Sequence, residues 1–207
     1  MKTNVYIDGF NLYYGCLKDR PYRWLDLSAL CRNVLPKDQI HRIRYFTALV
    51  DARPDDPRQP VRQQTYLRAL RTIPSLSIHL GIFRTRRTRL PLVKPRLVGD
   101  RYAEVWKTEE KGSDVNLATY LMLDVFKRDC DVAVVISNDA DLKAPIEIAR
   151  NELGIAVGVL NPHPPARRSR DLNPTFFKQI RKGALARSQL PPSLRDPQGE
   201  IRKPPGW

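Results

Sequence analysis

The sequence has little of what usually holds a transition metal. Its three cysteines, Cys16, Cys31 and Cys130, lie far apart and form no Cys-x-x-Cys pair. That argues against a zinc knuckle and against a disulfide framework, and it fits reduced thiols in a cytosolic protein. The three histidines, His41, His79 and His163, are equally scattered. There is no Gly-x-x-x-x-Gly-Lys-Ser/Thr loop, so a P-loop ATPase is excluded. No apolar run approaches the roughly 20 residues that span a bilayer. The Met-Lys-Thr-Asn start runs straight into a short apolar segment without a signal-peptide pattern, so the expected location is the cytoplasm. Acid is scarce as well: 22 Asp and Glu stand against 36 Lys and Arg, a net charge of +14.

An excess of that size points to a polyanionic partner, most often nucleic acid. It is also uneven. Residues 84–101, "RTRRTRLPLVKPRLVGDR", hold seven basic residues and one Asp. Arg84, Arg86, Arg87, Arg89, Lys94 and Arg96 are its candidate nucleic-acid contacts, with a solvated surface loop as the plainer reading. A second basic stretch runs from Arg167 to Arg187, with Asp171 its sole acid.

Strand-like and helix-like segments alternate along the chain. "NVYID" at 4–8, "DVAVVIS" at 131–137 and "IAVGVLN" at 155–161 are apolar almost throughout. Strands of that kind belong to a parallel sheet covered on both faces. Residues 40–50 and 76–83 read as further strands. Residues 25–35, 61–73, 114–128 and 141–153 show helical spacing. The basic stretch is expected to form an exposed excursion or hairpin pairing with 102–109, and "PTFFKQI" at 174–180 a last short helix. One α/β domain over residues 1–187 is expected, a Rossmann-like three-layer sandwich with a mainly parallel central sheet. Five prolines in the last 20 residues predict an extended tail over 188–207, a possible contact point for a second copy or another protein.

In open α/β sheets, ligands bind beyond the carboxyl ends of the strands. Asp8 and Asn11 follow the first strand. Ser137, Asp139 and Asp141 follow the strand at 131–137. Lys111 and Asp114 open the long helix. Gathered at one edge, Asp8, Asp114 and Asp139 would supply an oxygen-only ligand set that suits Mg²⁺ or Mn²⁺ rather than zinc. Asp141 would add a further carboxylate, Lys111 would offset phosphate charge, and Asn11 and Ser137 would orient ligands or water. Each residue has a local alternative. Asp139 or Asp141 can serve the helix that follows, Ser113 or Asp114 can cap the long helix, and Asp8 can shape a turn with Asn11. A small-molecule phosphohydrolase fits less well, because Phe10 stands where an aspartyl phosphatase needs its second Asp.

Three blocks, "VYIDGFNLYYG", "EEKGSDVNLATYLM" and "VVISNDADLKAPIEIARNELGIAVGVLNP", resemble in order the signature segments of the NYN domain, a member of the PIN-like nuclease fold. The resemblance spans residues 4 to 187. It implies a Rossmann-like sheet, an acidic pocket at Asp8, Asp114, Asp139 and Asp141 with Asn11, Ser137 and Lys111 beside it, a divalent metal, and ribonuclease activity. The chain departs from the pattern at Tyr120, where many relatives carry an Asp, and the basic insertion matches none of the three blocks. The expected function is therefore metal-dependent hydrolysis of RNA, with DNA left open. A non-catalytic RNA-binding or recruitment module of the same fold is the alternative.

Overall fold

A computed structural model describes residues 1–52, 54–94 and 101–207. Its centre is β1 (Lys2–Asp8), which pairs in parallel with β2 (Gln39–Ala48) on one side and with β5 (Val132–Ile136) on the other. The sheet continues outward through β3 (Leu76–Pro91) and β4 (Tyr102–Lys111) in one direction. In the other it runs through β6 (Ala156–Asn161) and β7 (Phe176–Gln179). Only β4 runs antiparallel to its neighbour in this seven-stranded sheet. The winding reverses between β1 and β5, which makes that boundary the topological switch point.

Side chains alternate across each strand, so each face has its own core. Val5, Ile7, Ile43, Val134 and Ile136 face α2 (Leu27–Val34) and α3 (Gln59–Leu70). Tyr6, Phe46, Ala133, Val135 and Val157 face α4 (Ser113–Phe126) and α5 (Lys143–Asn151). β5 reads Val-Ala-Val-Val-Ile because both of its faces are buried.

Two expectations are corrected. Residues 174–180 do not form a helix: Phe176–Gln179 is the edge strand β7, paired with β6. Gly158 explains the outcome, since a Cβ there would lie 2.1 Å from the Phe176 ring, which occupies the space the glycine leaves. Residues 188–207 are not an extended tail either. After α6 (Lys182–Arg187), strands β8 (Ser193–Asp196) and β9 (Gly199–Arg202) form a hairpin. Asp196 pairs with Arg68 of α3, and Ile201 is buried in the core. The Trp24 indole, fully buried, donates to the Pro191 carbonyl at 2.7 Å.

The expected hairpin in the basic region is present. β3 and β4 pair from Ile82–Lys111 out to Pro91–Tyr102 and form a long arm at the sheet edge. Arg96 lies outside the described residues, and Lys94 is exposed just beyond β3.

Candidate active site

The site begins where β1 ends. Asp8 caps α1 (Gly9–Leu12), whose chain continues into a π-helical turn. One Asp8 oxygen accepts from the Asn11 backbone N–H at 2.9 Å, and the other accepts from the Ser137 hydroxyl at 3.0 Å. Gly9 is needed for packing: a Cβ there would stand 2.7 Å from the Phe46 carbonyl and 2.8 Å from the Tyr45 ring. Across the switch point, the Asn11 side-chain carbonyl accepts from Asn138 N–H at 2.9 Å. The ends of β1 and β5 are thereby tied together by side chains.

Asp139 follows β5 and caps the short turn after it, accepting from Asp141 N–H at 3.0 Å. Asp114 sits in the first turn of α4. Gly112, at φ +100°, turns the chain into that helix in the left-handed region that favours glycine. Glu110 then does the capping, accepting from Ser113 N–H at 3.1 Å and from its hydroxyl at 2.6 Å. Neither Ser113 nor Asp114 is used as the cap, and the Asp114 carboxylate is left to the cleft.

Oxygens of Asp8, Asp114 and Asp139 all lie within 4.8 Å of one another. Burial pushes the Asp8 carboxyl up to about 6; the charges of Asp114 and Asp139 add to this, and the Asn11 and Ser137 hydrogen bonds oppose it. Asp114 is raised too, by burial first and then by Asp139, Glu110 and Asp141. Three carboxylates this close favour protonation unless a cation joins them. A donor set made entirely of carboxylate oxygens fits a hard divalent ion such as Mg²⁺ or Mn²⁺.

The other expected residues are placed differently. Asp141 is exposed and acts on Asp114 through its charge, outside the close trio. Ser137 is fully buried and serves Asp8 from beneath. Lys111 is not among the residues that line the cleft. It shares a face of the arm with Ile82, Arg84, Arg86 and Glu109, and its ammonium is 3.5 Å from Glu109. The opposite face carries Phe83, Thr108 and Glu110, which line the cleft, and farther out Arg87, Arg89 and Trp106. Strand alternation thus divides the candidate arginines, Arg87 and Arg89 on the cleft side and Arg84 and Arg86 on the reverse. Tyr120 lies away from the cleft against Arg44 and His79.

The cleft has a volume of about 790 Å³. Carboxylates dominate its walls: Asp8, Asp19, Asp55, Asp56, Glu110, Asp114 and Asp139 outnumber Lys18, Arg23 and Arg62. Aromatic rings line it as well, from Phe10 and Phe83 to Tyr13, Tyr45, Tyr66 and Trp207. The aromatic wall escapes a sequence reading, because its rings come together from distant segments. Glu110 does carry a local signal, three residues ahead of the helix's first serine.

The NYN domain model matches residues 2–178 of the chain. The chain belongs to the NYN-domain family. Across its whole length it is also 32% identical to 6-hydroxy-3-succinoylpyridine 3-monooxygenase HspA of Pseudomonas putida, of which it spans 75%. A crystal structure of a protein of unknown function from Vibrio parahaemolyticus shares the fold, with a TM-score of 0.57 and 17% identity, over 91% of this chain and 96% of that one. No helix among the described residues is long and apolar enough to cross a membrane.

Proposed function

We propose that this NYN-domain protein is a divalent-metal-dependent ribonuclease that hydrolyses phosphodiester bonds in the acidic cleft. The observation that carries the reading is the trio Asp8, Asp114 and Asp139, with oxygens within 4.8 Å at the switch point of a parallel sheet. These carboxylates would hold Mg²⁺ or Mn²⁺, which supplies water activation and neutralises charge on the departing oxygen. The chain's own residues do the positioning. Asn11 N–H and the Ser137 hydroxyl fix both oxygens of Asp8. Glu110 anchors the start of α4 and so sets the position of Asp114. On the arm, Arg87 and Arg89 extend from the cleft side to take the backbone of a bound strand.

The test is cleavage of end-labelled single-stranded RNA and DNA by the wild type and Asp8→Asn in Mg²⁺, Mn²⁺ or EDTA. The expected result is RNA cleavage that needs both the metal and Asp8, with at least a ~100-fold loss in the variant, the scale on which catalytic constellations fail. Salt-sensitive binding by both proteins without cleavage would support a non-catalytic RNA-binding module instead.

A second reading comes from the monooxygenase relative and is favoured by the aromatic lining of the same cleft. The site would then receive a small hydroxylated heterocycle. Binding of such a ring without any Asp8-dependent RNA cleavage would support it.

A further inference from the structure

Beyond Gly81, β3 leaves β2 behind and pairs with β4 alone. The ribbon from Ile82–Lys111 to Pro91–Tyr102 has two faces, and the one that continues the cleft wall carries a row of rings. Phe83 starts the row, meeting Phe10 edge to face with 5.6 Å between centroids. Trp106 and Tyr102 follow farther out on the same face, 73% and 50% exposed. Single apolar residues on a surface are ordinary, but rings aligned with a cleft are not scattered. Trp24 is buried and Trp207 partly so, which leaves Trp106 as the tryptophan presented to solvent.

Charge changes along the same face. Glu110 stands at the cleft end. Next comes the neutral pair Thr85 and Thr108, whose hydroxyls lie 2.9 Å apart. Arg87 is then directly opposite Trp106, and Arg89 lies over the Tyr102 ring at 5.5 Å. Glu104 is 3.8 Å from Arg87, but both side chains are mostly exposed, so the pair is weak and a phosphate can replace it. Over residues 82–94 and 101–111 the arm carries eight basic residues against three acids. Two such arms repel each other, which disfavours a second copy as the occupant. The threonine pair and Glu104 interrupt the apolar row, which disfavours a membrane surface. Rings interleaved with guanidinium groups suit a chain that alternates flat bases with phosphates.

We infer that the cleft side of the arm is a stacking platform for single-stranded RNA, with an unpaired base on Trp106 and the adjoining phosphates on Arg87 and Arg89. In a duplex both faces of each base are covered by its neighbours, so such a platform serves an unpaired strand. Trp106 is four residues from Glu110, about 14 Å along β4. At about 3.4 Å for each stacked base, it grips the strand about four bases from the cleft wall. That the strand is RNA and runs on to the acidic trio rests on the ribonuclease reading.

Binding without metal separates the platform from the chemistry. The test is fluorescence anisotropy of the full chain in EDTA with an end-labelled RNA strand of about 12 nucleotides, long enough to pass from the trio beyond Trp106. The same strand annealed to its complement is the comparison. Trp106→Ala should weaken binding of the single strand about tenfold, the scale of one lost base stack, and leave duplex binding unchanged. Trp106→Phe keeps a ring and should recover most of the loss. Leu90→Ala, on the reverse face, should change nothing. The melting temperature should not move in any of the three, because these side chains lie largely in solvent. An equal loss for strand and duplex, no loss for either, a loss as large in Leu90→Ala, or no binding of the strand overturns the inference. If strand binding ignores Trp106, Trp106-dependent binding to phosphatidylserine vesicles would assign the face to a membrane instead. Asp8-dependent cleavage by a protein whose RNA binding ignores Trp106 removes this inference and leaves the ribonuclease reading. Trp106-dependent binding without cleavage in Mg²⁺ or Mn²⁺ does the reverse.

Discussion

Asp8 is costly to the metal-free protein. Its carboxyl ionises near 3.8 when unperturbed and at about 6 in the fold. Between those values the folded state binds more protons than the unfolded chain, so stability falls as pH rises through that window. Above it the cost is complete, about 3 kcal/mol at most from the size of the shift. Asp8→Asn keeps a side-chain oxygen for the Asn11 cap and removes the charge. Thermal melts in EDTA should show the variant more stable than the wild type at pH 7 and no more stable near pH 3.8. Equal melting temperatures at pH 7 would mean that the buried charge carries no such penalty. The role of Asp8 was legible in the sequence because a buried strand ending on a carboxylate is unusual. Asn11 and Ser137 were legible beside it, but that the Ser137 hydroxyl bonds Asp8 itself was not, because it comes from a segment more than a hundred residues away.

At the scale of elements, α4 is held to the sheet by a buried network. Arg44 makes a two-pronged pair with Asp124 at 2.7 and 2.8 Å, and the Tyr6 hydroxyl donates to the same carboxylate at 3.0 Å. Arg44 also stacks on the Tyr120 ring at 4.5 Å. Asp124→Ala would leave a guanidinium buried without its partner, a loss of about 3–5 kcal/mol that urea unfolding would read. Because α4 carries Asp114, the same variant should lose activity as its fold loosens. The arm gives a second prediction. Charge reversal of Arg87 and Arg89 should weaken RNA binding more than tenfold and flatten its salt dependence by about one unit of slope for each phosphate no longer held. Reversal of Arg84 and Arg86 on the other face should do less, and a salt titration of the two double variants compares them. The hairpin itself was legible from its charge run and prolines. The division between its faces needed the register, which pairs Arg84 with Glu109 and Arg87 with Trp106.

At the scale of the whole molecule, the buried central strands and their parallel sheet follow from uninterrupted apolar runs such as Val132–Ile136. The end of the described chain does not. Its prolines and charges look like a solvated segment, because local composition carries no record that Trp24 waits for a carbonyl at Pro191 or that Ile201 fills the core beside α3. Residues 188–207 are therefore part of the domain's stability. A chain ending at Arg187 would expose Trp24 and Tyr66, and is expected to melt well below the full chain or to aggregate. Limited proteolysis and a circular-dichroism melt would check this.

The central claim is that three carboxylates from three separate segments form one divalent-ion site. Calorimetric titration of Mn²⁺ into the wild type and Asp8→Asn at pH 7.5 tests it most directly. A single site in the wild type, weakened at least ~100-fold in the variant, is the predicted result, since removing a ligand from a small all-oxygen site takes away a large share of its affinity. Mn²⁺ binding of equal strength in both proteins, or none in either, would contradict it.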